Sequence, residues 1–316
     1  MKINYRKLGQ TGFDVSTIGF GTWQLGGGRW KSDTKAKNIS LLRKANDLGI
    51  NIFDVSVVYG QYQDKNGYTQ SRSQELLGEA FKDRRNKVFF CLKLGQFDEY
   101  AHRNNYEPER IVEQFKQSLR RLQTNYADIT LIHAPSLQAV RDGRAISVLQ
   151  TLRALGLTKA IGYSFENEPG HVEEAIKQEI DVIMLQYNLI DTECGSVIKK
   201  AEDHGIGILV GGPFKRGYLT GKFKTIENLP LEDNYWEWNI NYNLGKVNKI
   251  LNQVKLFLQK FSSPKKLREI ALQYILMESG ACSAIVGHRF ITEVEENINS
   301  VSDIKVNKKK LKWKNK

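Results

Sequence analysis

Short apolar runs recur eight times along the chain, and segments with the spacing of amphipathic helices lie between them. The runs are continuous and do not alternate with polar residues, which is typical of strands buried on both faces of a parallel sheet. Each run predicts one strand: TIGFGTW, NIFDVS, VFFCLK, DITLIHA, AIGYS, DVIMLQYN, GILVGGP and CSAIVG. Eight repeats favour a closed (β/α)8 barrel over an open doubly wound sheet, which usually has about five to seven strands. We therefore predict an α/β fold of the TIM-barrel type.

The helical spacing is clearest in one segment, where four apolar residues fall on the same face: Ile111, Phe115, Leu119 and Leu122. Two other stretches do not fit the simple repeat. The first, residues 1–16, has turn signals at Gly9 and Gly12 and predicts a hairpin that plugs one end of the barrel. The second, residues 224–263, predicts a long loop after the seventh strand, much longer than an ordinary connection and with a helix-like segment at KVNKILNQVKLFLQKF. The aromatic residues of this loop suit a lid over the site or an anchor to the barrel, and both readings stay open: Tyr235, Trp236 and Trp238.

Composition is that of an ordinary soluble globular protein, with 41% apolar and 26% charged residues. No apolar stretch approaches the ~20 residues of a membrane-spanning helix, and the N-terminus lacks the apolar core of a signal peptide. We therefore expect a cytoplasmic protein with no membrane partner. The three cysteines are widely spaced and form no CxxC pair, so we expect reduced thiols and no metal site: Cys91, Cys194 and Cys282.

The net charge of +12 is concentrated at the C-terminus. Seven lysines lie in residues 305–316, which leaves +5 for the rest of the chain. A run of this kind is most often a solvated tail, so we predict no nucleic-acid partner. The predicted organisation is one barrel domain over residues 1–303 and a basic tail over residues 304–316.

Polar residues that can carry chemistry follow three consecutive predicted strands. Asp54, Lys93 and His133 lie at the ends of the second, third and fourth strands, and Tyr59 lies five residues after Asp54. In a parallel barrel these strand ends share one mouth. Burying Lys93 is costly unless a carboxylate pairs with it, and Asp54 on the adjacent strand is placed to do so.

This group of four suits proton transfer to a carbonyl oxygen. A cation beside a phenol favours the phenolate, so we expect Lys93 to lower the pKa of Tyr59 and to make Tyr59 a general acid. His133 would hold the same oxygen by a hydrogen bond. The group contains no nucleophile and no metal site, which favours carbonyl chemistry driven by a bound cofactor. Each residue alone is more typical of a structural ion pair, but four on consecutive strands favour one site.

The pattern closely resembles the aldo-keto reductases, which are (β/α)8-barrel oxidoreductases. Their Asp, Tyr, Lys and His tetrad matches Asp54, Tyr59, Lys93 and His133. The resemblance covers almost the whole chain and rests on these segments: RKLGQTGFDVSTIGFGTWQLGG, IGYS, LQYNL, LTGKF and IVGHRFITEVEENI. It implies hydride transfer between a nicotinamide cofactor and a carbonyl or alcohol. A Rossmann site is rejected, because Gln24 takes the third glycine position of the motif that Gly19 and Gly21 begin.

The resemblance also implies a set of residues that bind the cofactor across the barrel mouth. The nicotinamide would lie near Asp54 and contact Gly21, Thr22, Trp23, Ser164 and Gln186. The pyrophosphate would lie on the loop that holds Gly212, Pro213, Phe214, Gly217, Leu219 and Lys222. The adenosine end would contact Gly287, Arg289, Glu293, Glu296 and Asn297. This chain has Phe165 where many members have Asn, and Gly211-Gly212 where many have an aromatic-Ser pair.

Arg289 favours NADP(H) over NAD(H), because a guanidinium can give a ribose 2′-phosphate two hydrogen bonds. Glu293 opposes this, since many members have Gln there and a carboxylate repels phosphate. A surface ion pair between Arg289 and Glu293 is the alternative for these side chains.

The sequence therefore predicts an NADPH-dependent reductase of a small aldehyde or ketone, with Tyr59 as the general acid. The alternative is an NADP(H)-binding regulatory protein with little turnover, which the departures at Phe165 and Gly211-Gly212 motivate. A lyase with Lys93 as a Schiff base ranks lowest, because Asp54 would keep that amine protonated. The substrate and the oligomeric state stay open.

Overall fold

The computed structural model describes residues 3–95 and 105–302. Twelve strands occur in these ranges. In chain order they are β1 (Tyr5–Lys7), β2 (Asp14–Ser16), β3 (Ile18–Gly21), β4 (Ile52–Ser56), β5 (Gln61–Gln63), β6 (Thr69–Ser71), β7 (Phe89–Leu94), β8 (Ala127–His133), β9 (Thr158–Ser164), β10 (Val182–Gln186), β11 (Gly207–Gly211) and β12 (Ala281–Gly287).

Eight of these strands form the closed barrel that the apolar runs predict. β3, β4, β7, β8, β9, β10, β11 and β12 follow one another around it, and β12 pairs with β3. Neighbouring strands are parallel, for example Asp54 of β4 opposite Cys91 of β7 and Leu131 of β8 opposite Gly162 of β9. The carboxyl ends of all eight strands therefore meet at one mouth. The predicted (β/α)8 fold and its eight strands are confirmed.

Ten helices occur in the same ranges. They are α1 (Lys35–Asp47), α2 (Arg72–Phe81), α3 (Pro108–Arg121), α4 (Leu137–Asp142), α5 (Arg144–Ala154), α6 (Pro169–Ala175), α7 (Gly195–Asp203), α8 (Asn234–Phe261), α9 (Pro264–Leu276) and α10 (Ile291–Val301). In α3, Ile111 and Phe115 are buried, as the apolar spacing predicts, and Pro108 stands in the first turn, where a missing N–H costs nothing. None of the helices in the described ranges is long and apolar enough to cross a membrane.

The N-terminal hairpin is also present. β1 and β2 pair antiparallel, and the turn between them carries Leu8 into the barrel interior beside Ile52 and Leu209. The backbone N–H of Gln10 donates to the carbonyl oxygen of Gly205, two residues before β11 begins. Gly9 has a φ of +51° and lies so close to the backbone there that a side chain would collide with it. The hairpin therefore closes the end of the barrel opposite the mouth.

The long connection after β11 is present, and its helix-like segment at residues 246–261 is helical as predicted. The helix begins earlier than predicted, at Asn234. α8 runs for 28 residues with non-helical backbone at Asn243. Its first turn is held by packing, since the Tyr235 ring stacks on Trp30 with centroids 4.7 Å apart and Trp236 meets Trp30 edge-on. Trp238 is 48% exposed. The first two aromatic residues therefore anchor this segment to the mouth. The predicted tail at residues 304–316 lies outside the described residues.

Candidate functional site

A cavity of about 590 Å³ opens at the mouth of the barrel. Its wall includes the four residues that the strand ends predict: Asp54, Tyr59, Lys93 and His133. The cavity continues past the ends of β10 and β11 and reaches Arg289 and Glu293 after β12. It therefore has a catalytic end at the four residues and a far end at the start of α10.

Lys93 is the centre of the catalytic end. Its ammonium lies 2.9 Å and 3.0 Å from the two carboxylate oxygens of Asp54 and donates to the Tyr59 hydroxyl at 2.7 Å. The register of β4 and β7 sets this arrangement, because Asp54 and Lys93 come from adjacent parallel strands. Lys93 is only 3% exposed, so its charge depends on these two partners.

A tight turn after β4 brings Tyr59 back to Lys93. The backbone N–H of Tyr59 donates to Ser56 at 3.2 Å, and Gly60 has a φ of +68°. The Tyr59 ring stacks on Trp23 with centroids 6.1 Å apart and meets the His133 ring edge-on at 6.2 Å. The structure thus brings together all four residues that the sequence selects.

The pKa of the Tyr59 phenol is raised, not lowered, so the sequence prediction of its direction is wrong. Burial raises this pKa, and the Lys93 ammonium lowers it only in part. Burial likewise raises the pKa of Asp54 against the opposing effect of Lys93. Burial lowers the pKa of Lys93, but Asp54 and Tyr59 outweigh it, and the net direction is upward. Lys93 is therefore charged, and the Tyr59 phenol keeps its proton in the absence of a ligand that can accept it.

His133 is a neutral imidazole in this site. Burial, and then the charge of Lys93, hold its pKa well below the usual value. Its Nδ1 lies 3.0 Å from Ser56 Oγ. When the serine hydroxyl donates to Nδ1, the proton of the ring sits on Nε2 and is available as a donor. Sequence reasoning missed Ser56, although its position two residues after Asp54 on the same strand was a usable signal.

The predicted nicotinamide contacts divide into two groups. Gly21, Trp23, Ser164 and Gln186 line the cavity. The side chains of Ser164 and Gln186 make no hydrogen bond to any other residue in the described ranges. Thr22 does not line the cavity, because its hydroxyl donates to the backbone oxygen of Asp54 at 2.8 Å and the residue is buried. Thr22 therefore positions the end of β4 and is not placed to touch a ligand.

Phe165, which replaces the expected Asn, is packed away from this role. It lines the cavity but is buried, and its ring stacks on Tyr163 with centroids 5.4 Å apart. The neighbouring Gly211 and Gly212 also line the cavity and bring no ring there. Aromatic rings reach the cavity wall from other segments, among them those of Trp23 and Tyr59.

The predicted pyrophosphate loop lies beside the cavity. Its lining members are Gly212, Pro213, Phe214, Gly217 and Lys222. Leu219 is fully buried in the core, and its backbone N–H donates to the Phe214 oxygen at 3.0 Å. The Gly217 N–H donates to the same oxygen, also at 3.0 Å. The turn itself therefore uses the backbone N–H groups of both Gly217 and Leu219.

Two cations in this loop were not selected from the sequence. Lys215 and Arg216 line the cavity, and both have left-handed backbone, with φ of 47° and 57°. Lys215 donates to both carboxylate oxygens of Asp191 at 2.6 Å. The Arg216 guanidinium lies 5.8 Å from the centroid of the Tyr235 ring. Such strained backbone away from glycine is common at functional sites, and the adjacent pair of basic residues was the available signal.

At the far end, Gly287, Arg289 and Glu293 line the cavity as predicted. The Arg289 guanidinium donates to Asp233 at 2.6 Å, so the alternative of an ion pair with Glu293 is wrong. Glu293 instead accepts from the backbone N–H of Arg289 at 2.9 Å and from Lys222 at 3.2 Å. Asp233 was not selected from the sequence and had no recognisable signal there.

Glu296 and Asn297 do not line the cavity. Glu296 forms an ion pair of 2.7 Å with Arg268 on α9. Asn297 is buried under α10, on the side that packs against the core. The structure therefore separates these two residues from the other predicted contacts at this end.

Comparisons with known proteins match this chain and its fold to one family. The model described as the aldo/keto reductase family matches residues 17–312. Aldo-keto reductase YhdN of Bacillus subtilis is 31% identical over 91% of this chain and 85% of its own length. The NADH-specific methylglyoxal reductase of Escherichia coli is 27% identical over 93% of this chain and 92% of its own. The solved holo form of aldo-keto reductase AKR11C1 of Bacillus halodurans has a TM-score of 0.76 and 26% identity, and covers 98% of this chain and 94% of its own.

Proposed function

We propose that this chain, which belongs to the aldo/keto reductase family, reduces the carbonyl group of a small aldehyde or ketone to an alcohol at the catalytic end of the cavity. As a member of the family it is an NAD(P)H-dependent oxidoreductase. The observation that carries the proposal is the buried Lys93 ammonium, which contacts both the Asp54 carboxylate and the Tyr59 hydroxyl.

The cavity suits a nicotinamide cofactor laid along it. It runs from Lys93 to Arg289, and Ser164 and Gln186 offer unused hydrogen-bonding groups close to the catalytic end. These two side chains would hold the carboxamide of the nicotinamide, and Lys222 and Arg216 lie where the pyrophosphate would pass. When bound, the reduced cofactor supplies the hydride.

Tyr59 supplies the proton. Its O–H bond breaks as the carbonyl oxygen becomes the hydroxyl of the alcohol, and solvent later returns a proton to the phenolate. Lys93, 2.7 Å from the phenol oxygen, stabilises the phenolate while it exists. Asp54 keeps Lys93 charged and aimed at Tyr59. His133, neutral and edge-on to Tyr59, donates to the carbonyl oxygen and orients it.

The finer features stay predictions. The sequence prediction of NADPH over NADH rests on Arg289 meeting a 2′-phosphate, and Asp233 competes for that guanidinium. The cytoplasmic location and the identity of the carbonyl substrate are likewise predictions. The raised pKa of Lys93 disfavours a Schiff-base lyase, because a protonated amine is not a nucleophile.

The test is oxidation of NADPH and of NADH by the purified chain over a panel of small aldehydes, ketones and sugars. We expect turnover with at least one carbonyl, and Tyr59→Phe should lower kcat by about 10³-fold or more, since the proton donor is lost. Tyr62→Phe is the matched control, because the Tyr62 hydroxyl bonds Glu75 and does not line the cavity. Undiminished turnover by Tyr59→Phe would refute the assigned role.

The second candidate is a regulatory protein that binds the cofactor and turns over little. Phe165 and the Gly211-Gly212 pair favour it, because they depart from the usual contacts to the nicotinamide. Tight cofactor binding with negligible turnover over the whole panel would support this candidate. Rapid turnover of any small carbonyl would exclude it.

A further inference from the structure

The far end of the cavity contains an anion that belongs to the chain itself. Oε2 of Glu293 accepts the backbone N–H groups of Arg289, at 2.9 Å, and of Phe290, at 3.4 Å, just before α10 begins. A helix N-terminus of this kind attracts anions, because its first N–H groups have no partner within the helix. In this chain the Glu293 carboxylate already accepts two backbone N–H groups at this helix start.

The cations that meet this helix start are already neutralised by carboxylates. The Arg289 guanidinium bonds Asp233, which is buried and cannot turn to solvent. The Lys222 ammonium bonds Glu293 at 3.2 Å. The two cations are therefore matched by two anions. His288 adds no positive charge at neutral pH, because burial lowers its pKa to about 4.

A phosphate and a hydroxyl would meet this surface in opposite ways. A phosphate monoester carries close to two negative charges at neutral pH, and its oxygens only accept hydrogen bonds. The Glu293 carboxylate would therefore repel it and could not donate a hydrogen bond to it. A ribose 2′-hydroxyl is uncharged and can donate a hydrogen bond to the same carboxylate. The charge pattern therefore favours the ligand without the phosphate.

We infer that Glu293 is a specificity-determining residue that selects nicotinamide dinucleotides without a 2′-phosphate, so that this chain binds NAD(H) more tightly than NADP(H). The inference rests on the proposed function, because it takes the cavity to hold a nicotinamide cofactor with its adenosine end at α10. It reverses the preference for NADP(H) that Arg289 alone predicts, because Asp233 and Glu293 neutralise the nearby cations.

Calorimetric binding to the full-length chain tests the inference without relying on turnover. The probes are NAD⁺ and NADP⁺, together with 5′-AMP and adenosine 2′,5′-bisphosphate, which carry the adenosine end alone. We expect the wild-type chain to bind each probe that lacks the 2′-phosphate about ten-fold more tightly than its partner, a difference of about 1.4 kcal/mol.

Glu293→Gln keeps an oxygen that can accept the Arg289 N–H but removes the charge. This variant should bind NADP⁺ about ten-fold more tightly than the wild type does and leave NAD⁺ binding within about three-fold. Glu295→Gln is the matched control, because it removes the same charge two residues along α10 at a position that does not line the cavity. It should change neither affinity.

Asp233→Asn is the second variant, for the case that Glu293→Gln fails to fold. It retains the oxygen that accepts both the Lys31 N–H, at 2.7 Å, and the Arg289 guanidinium, at 2.6 Å, but it removes the negative charge that neutralises Arg289. NADP⁺ binding should again strengthen relative to NAD⁺. Circular dichroism and thermal unfolding check that each variant is folded.

The outcomes separate the inference from the function on which it rests. A wild-type chain that binds both dinucleotides and prefers NADP⁺ overturns the inference alone, as does an equal response of Glu293→Gln and Glu295→Gln. A folded chain that binds neither dinucleotide nor either adenosine probe overturns the proposed function, and the inference with it. The expected reversal in Glu293→Gln, absent in Glu295→Gln, supports both.

Discussion

The two ends of the cavity are built in different ways. At the catalytic end, Lys93 is fixed on a barrel strand, nearly sealed from water, and bound to residues from the adjacent strand and the turn that follows it. At the far end, Lys222 and Glu293 lie on a loop and a helix and stay partly exposed. Rigid strand register fixes the chemistry at the catalytic end, whereas side chains that can exchange partners set selectivity at the far end.

The largest expected effect comes from replacing one lysine at each end of the cavity. Lys93→Met should reduce kcat by about 10³-fold or more and the free energy of unfolding by about 3–5 kcal/mol, because Asp54 keeps a buried charge without a partner. Lys222→Met, at a lysine that is 54% exposed, should cost about 1 kcal/mol or less. Urea unfolding and steady-state kinetics measure both. Equal losses of stability in the two variants would contradict the contrast.

A smaller effect should come from the serine that holds His133. Ser56→Ala removes the hydroxyl 3.0 Å from Nδ1 and with it the hydrogen bond that orients the His133 ring. We expect kcat/KM to fall about five-fold, the equivalent of one hydrogen bond of about 1 kcal/mol. Ser196→Ala, at an exposed serine on α7, serves as the control. An unchanged kcat/KM in Ser56→Ala would show that His133 is oriented by other contacts.

A further effect, on stability alone, concerns what the two ends share, which is a histidine that burial keeps neutral. Burial lowers the pKa of His133 well below its usual value and that of His288 to about 4. The unfolded chain therefore binds more protons than the folded one below about pH 6.5, so stability is full above that pH and declines as the pH falls toward about 4. Each histidine contributes at most about 1.4 kcal/mol per pH unit.

Urea unfolding at about pH 7 and about pH 5 measures this decline. His288→Phe should reduce the pH dependence of stability, because it removes the imidazole while the phenyl ring can still pack on Phe20. His204→Gln, at an exposed histidine, should not reduce it. A free energy of unfolding that is the same at both pH values would contradict the prediction.

The catalytic end could be predicted from sequence because each of its features is local. Asp54, Lys93 and His133 lie near the ends of apolar runs. Each run predicts a strand, and the direction of the strand predicts that these residues lie at the mouth of the barrel. α1 is implied by the repeat but gives little signal of its own, since Lys35–Asp47 is rich in polar residues and the few buried apolar ones give a weak pattern. The direction of the Tyr59 pKa was also wrong, because it depends on how deeply the fold buries the phenol, and the sequence does not state that depth.

The far end could be predicted only in part because its contacts join distant segments. Arg289 and Asp233 are 56 residues apart, and Lys222 and Glu293 are 71 apart. Asp233 stands in a polar stretch before α8 with nothing to set it apart from its neighbours. The resemblance indicated which residues lie there, and only the structure shows which charges neutralise each other.

The N-terminal hairpin has a consequence for the order of events in a catalytic cycle. By filling the base of the barrel with Leu8 and Val15, it blocks entry to the described part of the barrel from the end opposite the mouth. When two ligands enter through the same mouth, the one that binds deeper must enter first. An alcohol product held above a dinucleotide would therefore leave before the spent dinucleotide can be exchanged, and the slowest step of turnover can lie in that exchange.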